Sequence, residues 1–283
     1  MISGVYINLD RALERRSLME RQLEELQLPF EVSRLPAVDG AALTSRPANL
    51  PAGQFGVWQS HMAALERSLA TPDHLYVVED DALLSPALAE LPGLVEAMDV
   101  ATGGDWDLLY LDATVVEVED MCSLFEWTER ARGDGRIGFL RVPSRFTLYG
   151  LLSYVVNARR KHSVLAFLRE HSGRGKPIDS MTAHGINTGA LKACITLPLL
   201  TSGSELARSS QLDVRDDGRN LAWLLFRRLC YIGRDEEEVP PLGPAVAELT
   251  RALGEPQRLL GLLVSHRVAA FPNARFAPLL GEK

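Results

Sequence analysis

Two hydrophobic periods alternate along this chain. Val5-Tyr6-Ile7-Asn8-Leu9 has strand composition, and Asp10 stands where a helix cap belongs, ahead of Met19, Leu23 and Leu26 at core-facing intervals until Pro29 ends the pattern. After a loop expected at Gly53 to Gly56, the residues Trp58, Met62, Leu65 and Leu69 form one helical stripe. Through Pro72-Asp73 that helix leads into Leu75 to Val78, apolar at every position, as in a strand covered on both faces. Further strands are expected at Asp107 to Leu111, Gly138 to Val142, Leu151 to Val156 and Cys194 to Leu197, and a helix from Ala158 to His171, closed by Gly173-Arg174-Gly175. Glu117 to Gly135 reads as a polar, mobile excursion. Strands alternating with helices predict an α/β fold with a largely parallel, helix-covered sheet that becomes mixed in its later part.

The texture changes near Asp213. Asn220 to Tyr231 and Pro256 to Phe271 are apolar-rich helical segments separated by the acidic, proline-containing run Arg234 to Pro241, so residues 213–283 read as a helical C-terminal appendage to a domain at 1–212. Leu221, Leu224, Leu225 and Leu229 with Arg227 and Arg228 either pack on that domain or form an amphipathic surface for a membrane or partner. With 283 residues, 46% of them apolar, the chain is long enough for a substantial core. A formal charge of -7 argues against nucleic acid as the main partner. Cys122, Cys194 and Cys230 are odd in number and lack paired spacing, so neither a disulfide framework nor a zinc knuckle is indicated, which fits a reducing compartment. Without a basic leader or a long apolar window, a cytoplasmic location is expected, with peripheral contact at the inner membrane as an option.

Candidate chemistry concentrates where the buried strand ends in Glu79-Asp80-Asp81. Three adjacent carboxylates are costly without compensation. Carboxylate oxygens suit Mg2+ or Mn2+, and an ion held by one or two of them keeps positions free for phosphate oxygens. The alternative is an acidic turn capping the next helix ahead of Pro86.

Several ordered segments extend this pattern: Tyr6-Ile7-Asn8-Leu9-Asp10-Arg11 with Glu14-Arg15-Arg16, then Ala37-Val38-Asp39-Gly40, Gly56 with Ser60-His61, and Val78-Glu79-Asp80-Asp81. Weaker ones follow at Asp107 to Leu111, Tyr149-Gly150 with Ser153 to Val156, and Pro177-Ile178-Asp179. Together they resemble the family 25 glycosyltransferases, which include bacterial lipooligosaccharide galactosyltransferases and relatives of collagen galactosyltransferases. The resemblance spans residues 3 to 212. It implies an A-type nucleotide-sugar transferase fold (a Rossmann-like mixed sheet covered by helices), a UDP-sugar donor, Mn2+ or Mg2+, and inversion at the anomeric carbon.

On that basis Asp80 and Asp81 are the metal candidates, while Glu79 either binds the ion directly or orients the ribose or a water. Asn8, Leu9, Arg11 and Arg15 are expected at the donor, at or just after the carboxyl end of the first strand, because arginine holds phosphate through paired bonds. Arg15 and Arg16 read equally as solvated helix charges. Asp39-Gly40 is expected to turn near the nucleotide, with Gly40 permitting a backbone other residues resist. Ser60 and His61 either contact the donor or serve the structure.

An inverting transfer needs a base for the acceptor hydroxyl. Asp179 is the first choice, in a loop-like region with a family-like proline-aliphatic-aspartate pattern, with helix capping as its alternative; Glu205 is second, and His184, as base or metal ligand, third. The chain departs from the family at Arg208-Ser209-Ser210-Gln211, where a Ser-Asp pair is often found. The resulting expectation is a metal-dependent inverting hexosyltransferase, moving galactose or glucose from a UDP-sugar to a glycan, lipid-linked, peptide or small-molecule hydroxyl. A silent nucleotide-sugar binder is the alternative.

Overall fold

The computed structural model describes residues 1–208 and 219–233. Its centre is a seven-stranded mixed sheet made of β1 (Ile2–Asn8), β2 (Val32–Pro36), β3 (His74–Glu79), β5 (Leu108–Tyr110), β6 (Gly138–Arg141), β7 (Ser153–Val156) and β8 (Ala193–Leu197), in the order β2-β1-β3-β7-β5-β8-β6. A second, two-stranded sheet pairs β4 (Ala82–Leu84) with β9 (Thr201–Gly203). In the main sheet β1, β2, β3, β5 and β8 run one way, and β7 and β6 run against them. The helices are α1 (Leu13–Leu26), α2 (Ala52–Ser68), α3 (Leu91–Thr102), α4 (Val118–Gly133), α5 (Lys161–His171), α6 (Ile178–Asn187) and α7 (Arg219–Cys230).

Strand side chains divide by parity between two cores, as the two-residue period requires. Val5, Ile7, Leu75, Val77, Leu108, Tyr110, Tyr154 and Ile195 meet α2 (Trp58, Leu65), α4 (Met121, Leu124), α5 (Val164, Leu168), α6 (Ile178, Met181) and α7 (Phe226, Cys230). On the other face Tyr6, Tyr76, Val78, Leu109 and Cys194 meet Met19 of α1 and Leu91, Val95 and Met98 of α3. Burying each large apolar side chain stabilises the fold by about 1.5–3 kcal/mol. Both faces of β3 are therefore covered, which explains why it reads as a continuous apolar run.

The chain leaves β1 for β2 on one side, then crosses back through α2 to place β3 on β1's other side. Strand order thus reverses between β1 and β3, and the crevice beyond their carboxyl ends is the point at which open α/β sheets bind ligands. The pairing aligns Ile7 with Glu79, so the end of β1 lies beside the acidic triplet.

Several expectations need correction. Asp10 does not cap α1; the N-cap position is Ala12, and Asp10 instead accepts a bond from Arg34 Nη2 at 2.6 Å. Gly53 and Gly56 lie inside α2 rather than in a loop. A Cβ at Gly56 would come within 2.6 Å of Val38 O and 2.8 Å of Gly40 N, so the glycine permits backbone to pack on backbone. The region from Glu117 to Gly135 is mostly α4, anchored by Met121 and Leu124 in the core. Neither Asp80 nor Asp81 caps a helix: they form the turn into β4, and Ser85 precedes the next 3-10 turn.

Of the expected appendage, α7 packs on the main body, with Leu224, Phe226, Leu229 and Cys230 buried. Pro256 to Phe271 lies outside the described residues. Among the described residues no helix is long and apolar enough to cross a membrane. Cys122, Cys194 and Cys230 form no disulfide with one another.

Candidate active site

At the switch point lies a cleft of about 550 Å³, within the range of small-molecule sites. Leu9, Arg11, Arg15, Asp39, Gly40, Ser60, His61, Glu79, Asp80, Asp81 and Asp179, expected from sequence, all line it. Their elements are far apart in the chain: the end of β1, the start of α1, the turn before α2, α2 itself, the end of β3 and the start of α6.

Asp80 is nearly buried, and its Oδ2 accepts from Asn8 Nδ2 at 2.6 Å. Asn8 does not itself line the cleft. It also donates to Ala12 O and accepts from Arg34 Nε, so it positions Asp80. Arg15 Nη1 reaches Asp80 Oδ1 at 3.2 Å and Asp81 Oδ2 at 2.9 Å, while its Nη2 donates to Leu206 O. Arg15 is therefore an internal counter-charge and not a solvated helix residue. Arg16 does take the solvated role, pairing with Glu20 at i,i+4 on the outside.

Burial raises the Asp80 carboxyl above its ordinary range, helped by the neighbouring Asp81 and opposed by Asn8 and Arg15. Glu79 is raised for the same first reason, with His61 opposing and Asp81 and Asp80 adding. His61 is held at both ring nitrogens, by Tyr154 Oη at 2.9 Å from Nδ1 and Glu79 Oε1 at 3.3 Å from Nε2. Burial raises Tyr154's hydroxyl, with Tyr110 and Glu79 adding, so Tyr154 keeps its proton. The pair orients Glu79 at the cleft wall.

Asp39 Oδ1 accepts from Ala41 N and so starts the 3-10 turn Gly40–Ala42; its other oxygen pairs with Arg11 at the rim. Gly40 is not among the positive-φ positions of the described residues, so no left-handed backbone calls for a glycine there. Its missing side chain instead makes room for the Ala52 carbonyl, with which a Cβ would overlap. The Ser60 hydroxyl donates to Gly56 O at 2.7 Å and accepts from Val38 N at 2.9 Å, bracing the loop that carries Asp39.

Asp179 lies in the first turn of α6 and not in a loop. Ser180 N donates to its Oδ1 at 2.7 Å and Gly150 N to its Oδ2 at 3.4 Å, aiming the carboxylate at the cleft. His184 is exposed on α6 and does not line the cleft. Glu205 begins a 3-10 turn, Glu205–Arg208, but its side chain lies outside the described residues, as do Ser209, Ser210 and Gln211.

Three residues of α7 also reach the cleft, a segment read from sequence only as a helix that packs on the domain or meets a membrane or partner. Trp223, Leu224 and Arg227 of α7 complete one wall. Arg227 Nε donates to Asp112 Oδ1 at 2.9 Å, and its Nη2 pairs with Oδ2 of the same carboxylate. Burial raises the Asp112 carboxyl, against the pull of the guanidinium. Burial disfavours charge on Arg227 too, but Asp112, with Asp81 and Glu79, raises its pKa overall. Removing one partner from such a buried pair costs about 3–5 kcal/mol. Asp112 had a readable signal, since Leu108-Leu109-Tyr110-Leu111 is a second buried apolar run ending in an acid.

Five lining carboxylates face three lining guanidiniums, so with all of these ionised the cleft is acidic. The fit of a divalent cation rests on Asp81 Oδ1, a buried carboxylate oxygen that accepts no hydrogen bond from any described residue. Its chemistry suits a hard ion. Among the described residues no group of three His, Cys, Asp or Glu side chains converges to hold a metal, so an ion here would take most of its ligands from phosphate and water.

No protein-family model matches the chain, and no curated protein matches it.

Proposed function

We propose that this protein is an inverting glycosyltransferase that moves a hexose from a nucleotide diphosphate sugar, with UDP as the leaving group, to a hydroxyl acceptor, and that its α/β sheet is of the A-type nucleotide-sugar transferase kind. The observation that carries the reading is the convergence of Arg15, Asp39-Gly40, Ser60-His61, Glu79-Asp80-Asp81 and Asp179 on one cleft at the switch point. These are the ordered segments that resemble family 25 glycosyltransferases, brought together from more than 160 residues of chain.

In this reading Asp81 and Asp80 hold Mn2+ or Mg2+, which when bound neutralises the charge developing on the departing diphosphate. Asn8 and Arg15 keep the two aspartates in place. Asp179, aimed by two backbone N–H groups, takes the proton from the acceptor hydroxyl as its oxygen bonds to the anomeric carbon and the sugar–phosphate bond breaks. The Tyr154–His61 pair fixes Glu79 beside the donor. The acceptor is a glycan, lipid-linked or peptide hydroxyl.

The test is UDP release from a panel of UDP-sugars with Mn2+, Mg2+ or chelator, for the wild type, Asp81→Ala and Asp179→Asn. Metal-dependent release is expected, abolished in Asp81→Ala; with an acceptor, Asp179→Asn should lower kcat by about 10²–10⁴-fold. Release that is indifferent to chelator and to both substitutions would sink the proposal.

A further inference from the structure

Three guanidiniums line the cleft, and they are not equivalent. Arg11 pairs with Asp39 at the rim with 61% of its side chain exposed. Arg15 is spent on Asp80, Asp81 and the Leu206 carbonyl. Arg227 has only 12% of its side chain exposed and is fixed by a two-pronged bond to Asp112, itself 1% exposed.

That bond uses Nε and Nη2; among the described residues Nη1 donates to no acceptor, and it lies 3.6 Å from where a Cβ at Gly203 would stand. A guanidinium has five N–H donors in a rigid fork, so an immobilised arginine that lines a cleft and has donors left unused is prepared for an anion. Packing alone does not explain the pair, because apolar residues of similar volume fill such a space at no greater cost. The seat of α7 is equally specific. Arg228 Nε donates to Gly203 O at 2.9 Å, and a Cβ at Gly203 would come within 2.7 Å of Leu224 Cδ1, so the helix lies against bare backbone.

We infer that Arg227 is the diphosphate anchor of the cleft, its Nη1 edge donating to a phosphate oxygen of a nucleoside diphosphate while Asp112 holds the other edge. Asp112 is then a positioning residue. The inference rests on the donor reading above and adds that α7, beyond the segments that carry the resemblance, completes the donor site. Its charge-assisted bond strengthens as negative charge gathers on the leaving group.

The experiment is calorimetric titration of the full chain, with Mn2+, using UDP and uridine as paired probes. The wild type, Arg227→Gln and the double variant Asp112→Asn/Arg227→Gln are compared. The double variant removes both buried charges, so it remains informative where the single variant fails to fold. Loss of a charge-assisted bond predicts UDP affinity lower by about 10- to 100-fold, with uridine affinity unchanged. Equal weakening of both probes, or unchanged UDP affinity, overturns the inference. A wild type that binds UDP no better than uridine overturns it while leaving nucleoside recognition standing; a wild type that binds neither removes the donor reading as well.

Discussion

Glu79 shows how one residue's environment separates binding chemistry from stability. Burial comes first in raising its carboxyl, so the native chain binds this proton more tightly than the unfolded chain does. The associated stability is fully present below the unfolded pKa and is lost as pH rises through the raised native one. Above the unfolded pKa the burial of this carboxyl therefore costs stability, tempered by the 30% of its side chain that remains exposed. Glu79→Gln removes the charge and keeps an oxygen for His61 Nε2. In metal-free buffer at pH 7.5 its Tm should exceed the wild type's. The gain should shrink toward zero by about pH 4, where the unfolded carboxyl also protonates. Thermal melts at the two pH values decide it, and a gain that persists unchanged in acid would contradict the assignment. At this scale the sequence was informative wherever chemistry is local. The triplet after an apolar strand was visible without any fold, whereas the partnership of Arg15 with acids 65 and 66 residues away was not.

Among the elements, periodicity located β1, β3, β5, β6, β7, β8, α1 and α5, because each sets its own hydrophobic pattern. It failed where a long-range contact overrode a local preference. Glycine disfavours helices by about 1 kcal/mol relative to alanine, so Gly53 and Gly56 read as a loop. Tertiary contact reverses that preference at Gly56, where Val38 O and Gly40 N leave no room for a side chain. Gly56→Ala should therefore destabilise by about 1–3 kcal/mol through overpacking. Gly93, in α3 with nothing within 4 Å of a would-be Cβ, should respond oppositely, Gly93→Ala adding about 0.5–1 kcal/mol. Urea titrations of the two variants test the contrast, which vanishes if Gly56 tolerates alanine. The helix α4 was missed because its polar residues outnumber the few that reach the core, whereas α7 was located as a helix at Asn220 to Tyr231 but its cleft-lining role was not, because that depends on Asp112, more than a hundred residues earlier. Docking of α7 can be read from thiols. Cys230 is fully buried, burial pushes the Cys194 thiol up to about 11, and Cys122 is half-buried. Native protein at pH 8 should react rapidly at Cys122 alone, and at all three cysteines in denaturant. Rapid native labelling of Cys230 would place α7 off the body.

For the whole molecule, the consequential feature is the reversal of strand order between β1 and β3, which puts Asn8 and the acidic triplet at one crevice. Connectivity was out of reach of any local pattern. The sequence supplied alternating elements, while the position of β7 between β3 and β5 depends on pairings across the whole chain. The same topology concentrates negative charge: five carboxylates line a cleft that offers three guanidiniums, in a chain whose formal charge is already -7. A diphosphate entering alone meets net repulsion, and a divalent cation entering alone gains carboxylates but few other ligands. Each should therefore improve the other's binding, as linkage requires of coupled sites. A ligand at 100 times its Kd raises stability by about 2.7 kcal/mol, or about 5–10 °C in Tm for a domain of this size. UDP with Mn2+ should produce a shift of that order. UDP with chelator, or Mn2+ alone, should each produce clearly less, their sum falling short of the joint effect. Asp81→Ala should erase the excess, with each shift taken from the variant's own ligand-free Tm, because the substitution also removes one of the two carboxylates that Arg15 holds. Additive shifts from ion and nucleotide would mean that they bind apart, and the carboxylates at the end of β3 would then be a structural turn.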